Sequence, residues 1–113
     1  MLLKDITLPT PQENILYDNV LLELAEHGEG GEALRFWESR ELFIVLGRIG
    51  NPAADLHVTK VLADRVPVLR RSSGGGTVLQ GKGCLNYTLV LSKERPEIHD
   101  LRPIRIFLAR TID

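Results

Sequence analysis

The segment Arg70-Arg71-Ser72-Ser73-Gly74-Gly75-Gly76-Thr77-Val78 carries the clearest chemistry in the chain. Three consecutive glycines remove every Cβ from one short piece of backbone. The main chain can then take positive φ, and a ligand can approach bare N–H groups. Successive N–H groups in such a turn form a concavity suited to anions. The two arginines beside it supply fixed positive charge and forked donors for carboxylate or phosphate. The combination points to an anionic small molecule; the same composition also suits a loose Gly-Ser hairpin loop.

Other candidates fail on spacing. Gly76-Thr77-Val78-Leu79-Gln80-Gly81-Lys82 matches a nucleotide-binding P-loop as far as the lysine, but Gly83 stands where the Mg-binding hydroxyl belongs. The residues that follow are strand-like, so no helix N-terminus faces the phosphates. A dinucleotide fingerprint counted from Gly74 meets Leu79 in place of its third glycine. His27, His57 and His99 have no metal-ligand spacing and read as surface or core histidines. Cys84 has no histidine at a recognisable spacing for nucleophilic catalysis. Asn86-Tyr87-Thr88 is a glycosylation sequon, set aside because it falls inside a predicted strand of a chain read as cytoplasmic.

The elements that must position the glycine segment are largely legible. Thr10-Pro11-Gln12-Glu13 is a capped helix start, and His27-Gly28 is its end. Between them Ile15, Leu16, Val20, Leu21, Leu22, Leu24 and Ala25 predict a helix packed on more than one side. Ala33 to Glu38 reads as a strand, and Leu42 to Leu46 as a buried one. After the loop Gly47-Arg48-Ile49-Gly50, Asn51-Pro52 opens a second helix with Val58, Val61 and Leu62 on one face. Pro67 to Arg71 is a short strand. Thr77 to Gln80 and Leu85 to Leu91 are two more, and Gly81-Lys82-Gly83 predicts a hairpin between them. Asn86 and Thr88 share a strand face with Val90, either as ligand contacts or as a solvated polar face. A third helix starts near Asp100, with Leu101, Ile104 and Leu108 on one side. The chain stops at Asp113 without a glycine cap and with the wrong charge for a helix end, so an interrupted domain is expected.

Bulk properties narrow the class. A chain of 113 residues makes one domain at most. Its net charge of −1 leaves no electrostatic footprint for nucleic acid or an anionic membrane. Fourteen basic residues divide into ten Arg and four Lys, a slight bias toward rigid anion recognition. One cysteine excludes an internal disulfide and suits a reducing compartment. No apolar run approaches membrane-spanning length and no signal-peptide pattern opens the chain, so a cytoplasmic location is expected.

Arg70 to Val78, followed by Gly83-Cys84-Leu85-Asn86-Tyr87-Thr88, resembles the lipoate–protein ligase family of the biotin/lipoate ligase and acyltransferase superfamily. The resemblance lies in the order: Arg-Arg, a Ser-containing link, three glycines, a hairpin, then a Leu-Asn-Tyr-Thr strand. The helix from Asn14 to Leu24 and the turn Gly47-Arg48…Asn51-Pro52 extend it more weakly over most of the chain. It implies an α+β fold, a mixed β-sheet flanked by helices, with residues 1–113 forming a single partial domain, the N-terminal part of the catalytic domain. It also implies a two-step reaction. A lipoate carboxylate attacks the α-phosphate of ATP to give lipoyl-AMP, and an acceptor lysine then attacks the mixed anhydride. ATP and lipoate are the implied substrates, with Mg2+ accompanying them. The implied partners are lipoyl acceptor domains of 2-oxoacid dehydrogenase complexes or the glycine cleavage H protein.

On this resemblance the substrate contacts fall at Arg71, Ser73, Gly74, Gly75, Gly76, Thr77, Val78 and Asn86. Arg71 offsets negative charge, while Ser73, Thr77 and Asn86 fix orientation. Two departures bear on nucleotide contacts and acyl specificity: Gln80-Gly81 stands where many members have His-Asp, and Cys84 where many have Asn. The family's essential lysine lies on a later strand, and Lys82 does not match it, so no catalytic residue and no metal ligand is expected within the chain. Two alternatives stay open. One is an octanoyltransferase acting from acyl carrier protein. The other is a non-catalytic module that binds a lipoyl group or an acyl-adenylate.

Overall fold

The computed structural model describes residues 1–96. The helix expected from Asp100, with Leu101, Ile104 and Leu108, lies outside the described residues. In chain order the elements are β1 (Leu2–Asp5), α1 (Pro11–Glu26), β2 (Ala33–Trp37), β3 (Phe43–Leu46), α2 (Pro52–Asp55), α3 (Val58–Ala63), β4 (Val68–Arg70), β5 (Val78–Gln80) and β6 (Asn86–Val90). The strands form two three-stranded mixed sheets, ordered β1-β2-β6 and β4-β3-β5. Each central strand has one parallel and one antiparallel neighbour. The expected α+β class, mixed sheet flanked by helices, is what the chain adopts.

Local chemistry explains the first helix. Thr10 caps it by accepting from the Glu13 N–H at 3.2 Å, and Pro11 occupies the first turn, where its missing N–H costs nothing. His27 closes it through its N–H to Glu23 O at 3.0 Å, and Gly28 turns the chain away at φ +73°. Its apolar residues suggested packing on more than one side; among the described residues only one side is packed. Pro11, Asn14 and Leu21 are buried, whereas Leu16, Val20, Leu22 and Leu24 are exposed. Its main neighbour among the described residues is β6, which covers one flank.

Three further elements differ from expectation. β1 was not predicted; it runs parallel to β2 with Leu2 opposite Ala33 and Asp5 opposite Phe36. The second helix is broken in two, because Leu56 is extended at φ −124° and ψ 147° between α2 and α3. Of its expected apolar face, Val58 and Leu62 are exposed and Val61 is half-buried. The hairpin is also corrected. β5 pairs antiparallel with β3, and β6 pairs antiparallel with β2, so Gly81 to Gly83 carries the chain from one sheet to the other. The turn itself forms, with Gly83 at φ +90° and Cys84 N–H on Gly81 O at 3.1 Å. Its flanking strands pair instead with β2 and β3, the two most buried strands.

Those two strands also carry the core that joins the sheets. Trp37 of β2 stacks on Phe43 of β3 with ring centroids 6.5 Å apart, and Val45 completes the cluster. Ile15 of α1 and Leu69 of β4 pack against it. An offset stack of this kind adds to the gain from burial alone.

Candidate functional site

Two loops meet at the end of β3. One is Gly47 to Gly50, leaving β3 directly. The other is Arg71 to Thr77, leaving β4 and entering β5. Because β4 and β5 flank β3, the second loop must cross the point where the first emerges. The Arg71 N–H on Leu46 O, at 2.9 Å, ties the second loop to the end of β3, and the Arg48 N–H on Ser73 O, at 2.9 Å, ties it to the first loop. The approach is so close that a Cβ on Gly47 would sit 2.1 Å from Gly75 O. Gly47 is therefore the point of closest approach between the loops, a role that the sequence did not disclose.

Of the three loop glycines, Gly75 alone takes positive φ, at +104°. The Arg71 guanidinium folds back over the loop. Its Nε donates to Gly74 O at 3.1 Å, and its Nη2 donates to Gly74 O at 2.9 Å and Gly76 O at 2.8 Å. Arg70 serves the other loop: its Nη1 donates to the carbonyls of Gly47, Arg48 and Gly50 at 3.0, 3.0 and 2.9 Å. Among the described residues, the N–H groups of Gly74, Gly75 and Gly76 have no protein acceptor. The carbonyl side of the loop is tied down and the N–H side is open, which is the polarity an anion needs.

Beside the loop lies a cleft of about 700 Å³ between α1 and β6. Arg71, Ser72 and Ser73 form one end, Ile15, Asp18, Asn19 and Leu22 one wall, and residues 87–91 the other. Ser72 Oγ donates to Asn19 Oδ1 at 3.0 Å, joining loop to helix. A second hollow of about 530 Å³ adjoins it and shares Leu22, Val90 and Leu91. Glu32 lines that hollow, and its carboxyl is lowered to about 2 by the Arg95 guanidinium, assisted by the Ser92 N–H.

The helix wall is held by a residue that sequence reasoning passed over. Arg35 of β2 is fully buried. It donates to Asp18 Oδ1 and Asn14 Oδ1 at 2.8 Å, to Asn14 O at 2.9 Å and to Ile6 O at 3.2 Å. Its guanidinium also lies 4.6 Å from the Tyr17 ring centroid and 5.0 Å from that of Trp37. The available signal was an arginine sharing a strand face with Ala33 and Trp37.

The expected site residues fall into two groups. Arg71 and Ser73 line the cleft, and Gly74 to Gly76 continue from them. Thr77, Val78 and Asn86 do not line it. Thr77 Oγ1 donates to Asp55 Oδ2 at 2.9 Å, on the side of α2. Val78 is the first residue of β5, paired opposite Val45. Asn86 exchanges two amide hydrogen bonds with Gln80, at 2.9 and 3.0 Å, bridging β6 to β5. Among the described residues no three His, Cys, Asp or Glu side chains are grouped to hold a metal ion, and no helix is long and apolar enough to cross a membrane.

Residues 10–112 match the family model described as lipoyl protein ligase A/B catalytic domain. The chain belongs to this family. Among curated members it is 34% identical over 96 residues to the probable lipoate-protein ligase A of Mycoplasma pneumoniae, covering 80% of this chain and 28% of that protein. It is 30% identical over 89 residues to the octanoyltransferase LipM of Exiguobacterium sp., covering 79% and 32%. Its fold matches a lipoate-protein ligase A crystallised with ATP at a TM-score of 0.75 and 20% identity, over 91% of this chain and 40% of that one. A bi-partite lipoate protein ligase of Thermoplasma acidophilum, studied with its E2 lipoyl domain, matches at 0.74 and 20%, over 97% and 41%. The chain thus spans roughly a third of the length of the curated members it matches. Within the lipoyl ligase A/B framework, the segment resembling the family pattern forms the two-loop junction and one end of the cleft.

Proposed function

We propose that this chain forms the acyl-adenylate-binding part of a lipoate–protein ligase. The open N–H groups of Gly74 to Gly76, set beside the cleft between α1 and β6, carry this reading. They receive the phosphate oxygens of lipoyl-AMP, and Arg71 adds its positive charge at the same end. Ile15, Leu22 and Leu89 offer the acyl chain apolar contact, the usual character of a small-molecule cleft. Ser73 orients the ligand within the cleft. Thr77 and Asn86 act one step removed, holding the ends of the loop and of β5 to their neighbours.

In the full reaction, the lipoate carboxylate displaces pyrophosphate from ATP to form lipoyl-AMP. The ε-amine of an acceptor-domain lysine then displaces AMP to form an amide. The resemblance assigns the positive charge needed for adenylate formation to a lysine on a later strand, and Lys82 lies in the inter-sheet turn. We therefore expect the 113-residue chain to bind an acyl-adenylate without making one efficiently. Loss of one preorganised donor commonly costs about 2.7–4 kcal/mol of barrier, roughly 10²–10³ in rate. Calorimetry with a non-hydrolysable lipoyl-AMP analogue, beside lipoate-dependent pyrophosphate release, tests both halves. Absence of analogue binding by the folded chain overturns the reading. Release at the rate of a complete ligase shows that a residue within 1–113 replaces the lysine. The 30% identity to an octanoyltransferase supports a second reading, transfer from octanoyl-acyl carrier protein. Octanoyl uptake from that carrier without nucleotide would favour it.

A further inference from the structure

We propose that Arg70 and Arg71 are positioning residues, one for each of the two loops, and that Arg71 gives the glycine loop its polarity by sequestering its carbonyls. Adjacent arginines beside a glycine loop read naturally as two cations aimed at one ligand. Their contacts divide differently. All three bonds of Arg70 go to carbonyls of the Gly47–Gly50 turn, and all three of Arg71 go to carbonyls of Gly74 and Gly76. A loop of three glycines has no side chains to hold it, and its backbone entropy is the highest the chain can have. Without an anchor its carbonyls would face the ligand as often as its N–H groups. Arg71 removes that freedom and leaves the N–H groups of Gly74, Gly75 and Gly76 without a protein acceptor among the described residues. Gly75 is held to glycine by its φ of +104°, and a Cβ there, 2.6 Å from Arg71 Nη2, would also push the guanidinium off the loop.

The two arginines use different chemistry. Arg71 works through an edge, with Nε and Nη2 both engaged. Arg70 works through one nitrogen that meets three carbonyls. A lysine ammonium carries three donors on one nitrogen and no fork. Lysine can therefore replace Arg70 but not Arg71.

Amide hydrogen exchange tests this without ligand. The Arg48 N–H, bound to Ser73 O, reports on the glycine loop, and the Gly50 N–H, bound to Gly47 O, reports on the turn. Arg71→Gln should speed exchange of the Arg48 N–H about tenfold, and Arg71→Lys should not restore it. Arg70→Gln should speed exchange of the Gly50 N–H similarly, and Arg70→Lys should bring it back to within about threefold of the native rate. Strand amides such as Val45 serve as an internal standard in each variant. Native protection of the Arg48 N–H in Arg71→Lys overturns the proposal, as does equal failure of both lysine variants. Its bearing on the ligand rests on the adenylate reading above, and affinity for the lipoyl-AMP analogue is measured separately. Altered exchange with no analogue binding by any form, native included, leaves the loop anchors standing and removes the adenylate reading.

Discussion

Gly47→Ala adds one methyl group at the closest approach in the site. Gly47 does not need a left-handed conformation, so alanine suits its backbone and the whole effect must come from contact. The new Cβ would sit 2.1 Å from Gly75 O and 3.1 Å from Gly75 C, whereas contacts under 3.0 Å essentially never occur. One loop has to retreat by about 0.9 Å, the gap between those limits. A shift of that size strains the 2.9 Å bond from Arg48 N–H to Ser73 O and the Arg71 contacts with Gly74 and Gly76. Overpacking costs about 1–3 kcal/mol, and each weakened hydrogen bond about 1 kcal/mol net. A loss of about 2–3 kcal/mol would lower the melting temperature by roughly 10 °C or more in a domain of this size. Urea unfolding, melting curves and calorimetry with the lipoyl-AMP analogue would measure it. Gly74→Ala is the control for the fold: a Cβ there meets nothing within 4 Å. It should change stability by less than about 1 kcal/mol. The reasoning fails if Gly47→Ala melts and binds like the native chain, or if Gly74→Ala destabilises it equally.

Three more substitutions probe separate parts. Gly75→Val should abolish analogue binding while the fold persists, since it combines φ +104° with a Cβ 2.6 Å from Arg71, a local strain of about 1–3 kcal/mol; native affinity in a folded variant would refute it. Arg35→Met should cost about 3 kcal/mol in urea unfolding, because the partly exposed Asp18 loses its counter-ion and Ile6 O and the Asn14 oxygens each lose a charged donor, Asn14 Oδ1 keeping only the Leu8 N–H, and an unchanged midpoint would show that the cluster adds nothing. Glu32 titrates at about 2 against an ordinary 4.5, so its contribution is full above about pH 4.5 and is lost as pH falls toward 2. The stability difference between the native chain and Glu32→Gln should therefore shrink over that window, and a constant difference would contradict the ion pair with Arg95.

What could be read in the sequence was mostly what neighbours in the chain decide. Thr10, Pro11 and Glu13 define the start of α1 within four residues, and Gly81 and Gly83 do make a turn. What the turn connects depends on β2 and β3, thirty and more residues earlier, and those strands drew β6 and β5 into separate sheets. β1 was invisible for a similar reason. Leu2 and Leu3 are both exposed, so no alternation marks a strand, and its parallel pairing with β2 is made across the intervening α1. Gly47 looked like an ordinary loop glycine because the carbonyl it must avoid belongs to Gly75. Arg35 meets Asp18 and Asn14 from 17 and 21 residues away, a distance over which no periodicity carries information.

The division into two sheets gives Asn86 a structural contact. The glycine loop belongs to the sheet of β3, β4 and β5, whereas the strand wall of the cleft, β6, belongs to the other. The distance between the glycine loop and the cleft is thus set by whatever joins the sheets. Contacts that do so include the Trp37–Phe43 stack in the core, the Gln80–Asn86 amide pair and the Gly83 N–H on Glu38 near the inter-sheet turn, and Ser72 on Asn19 where the loop meets α1. The amide pair is reciprocal, so an acid at either position would leave one oxygen facing another. A departure at Gln80 from the His common in the family then need not remove a nucleotide contact. It can replace one way of fixing β5 against β6 with another, provided residue 86 still offers both a donor and an acceptor. On the polar strand face, Asn86 joins β6 to β5 through Gln80 and so helps hold the glycine loop and the cleft wall in register.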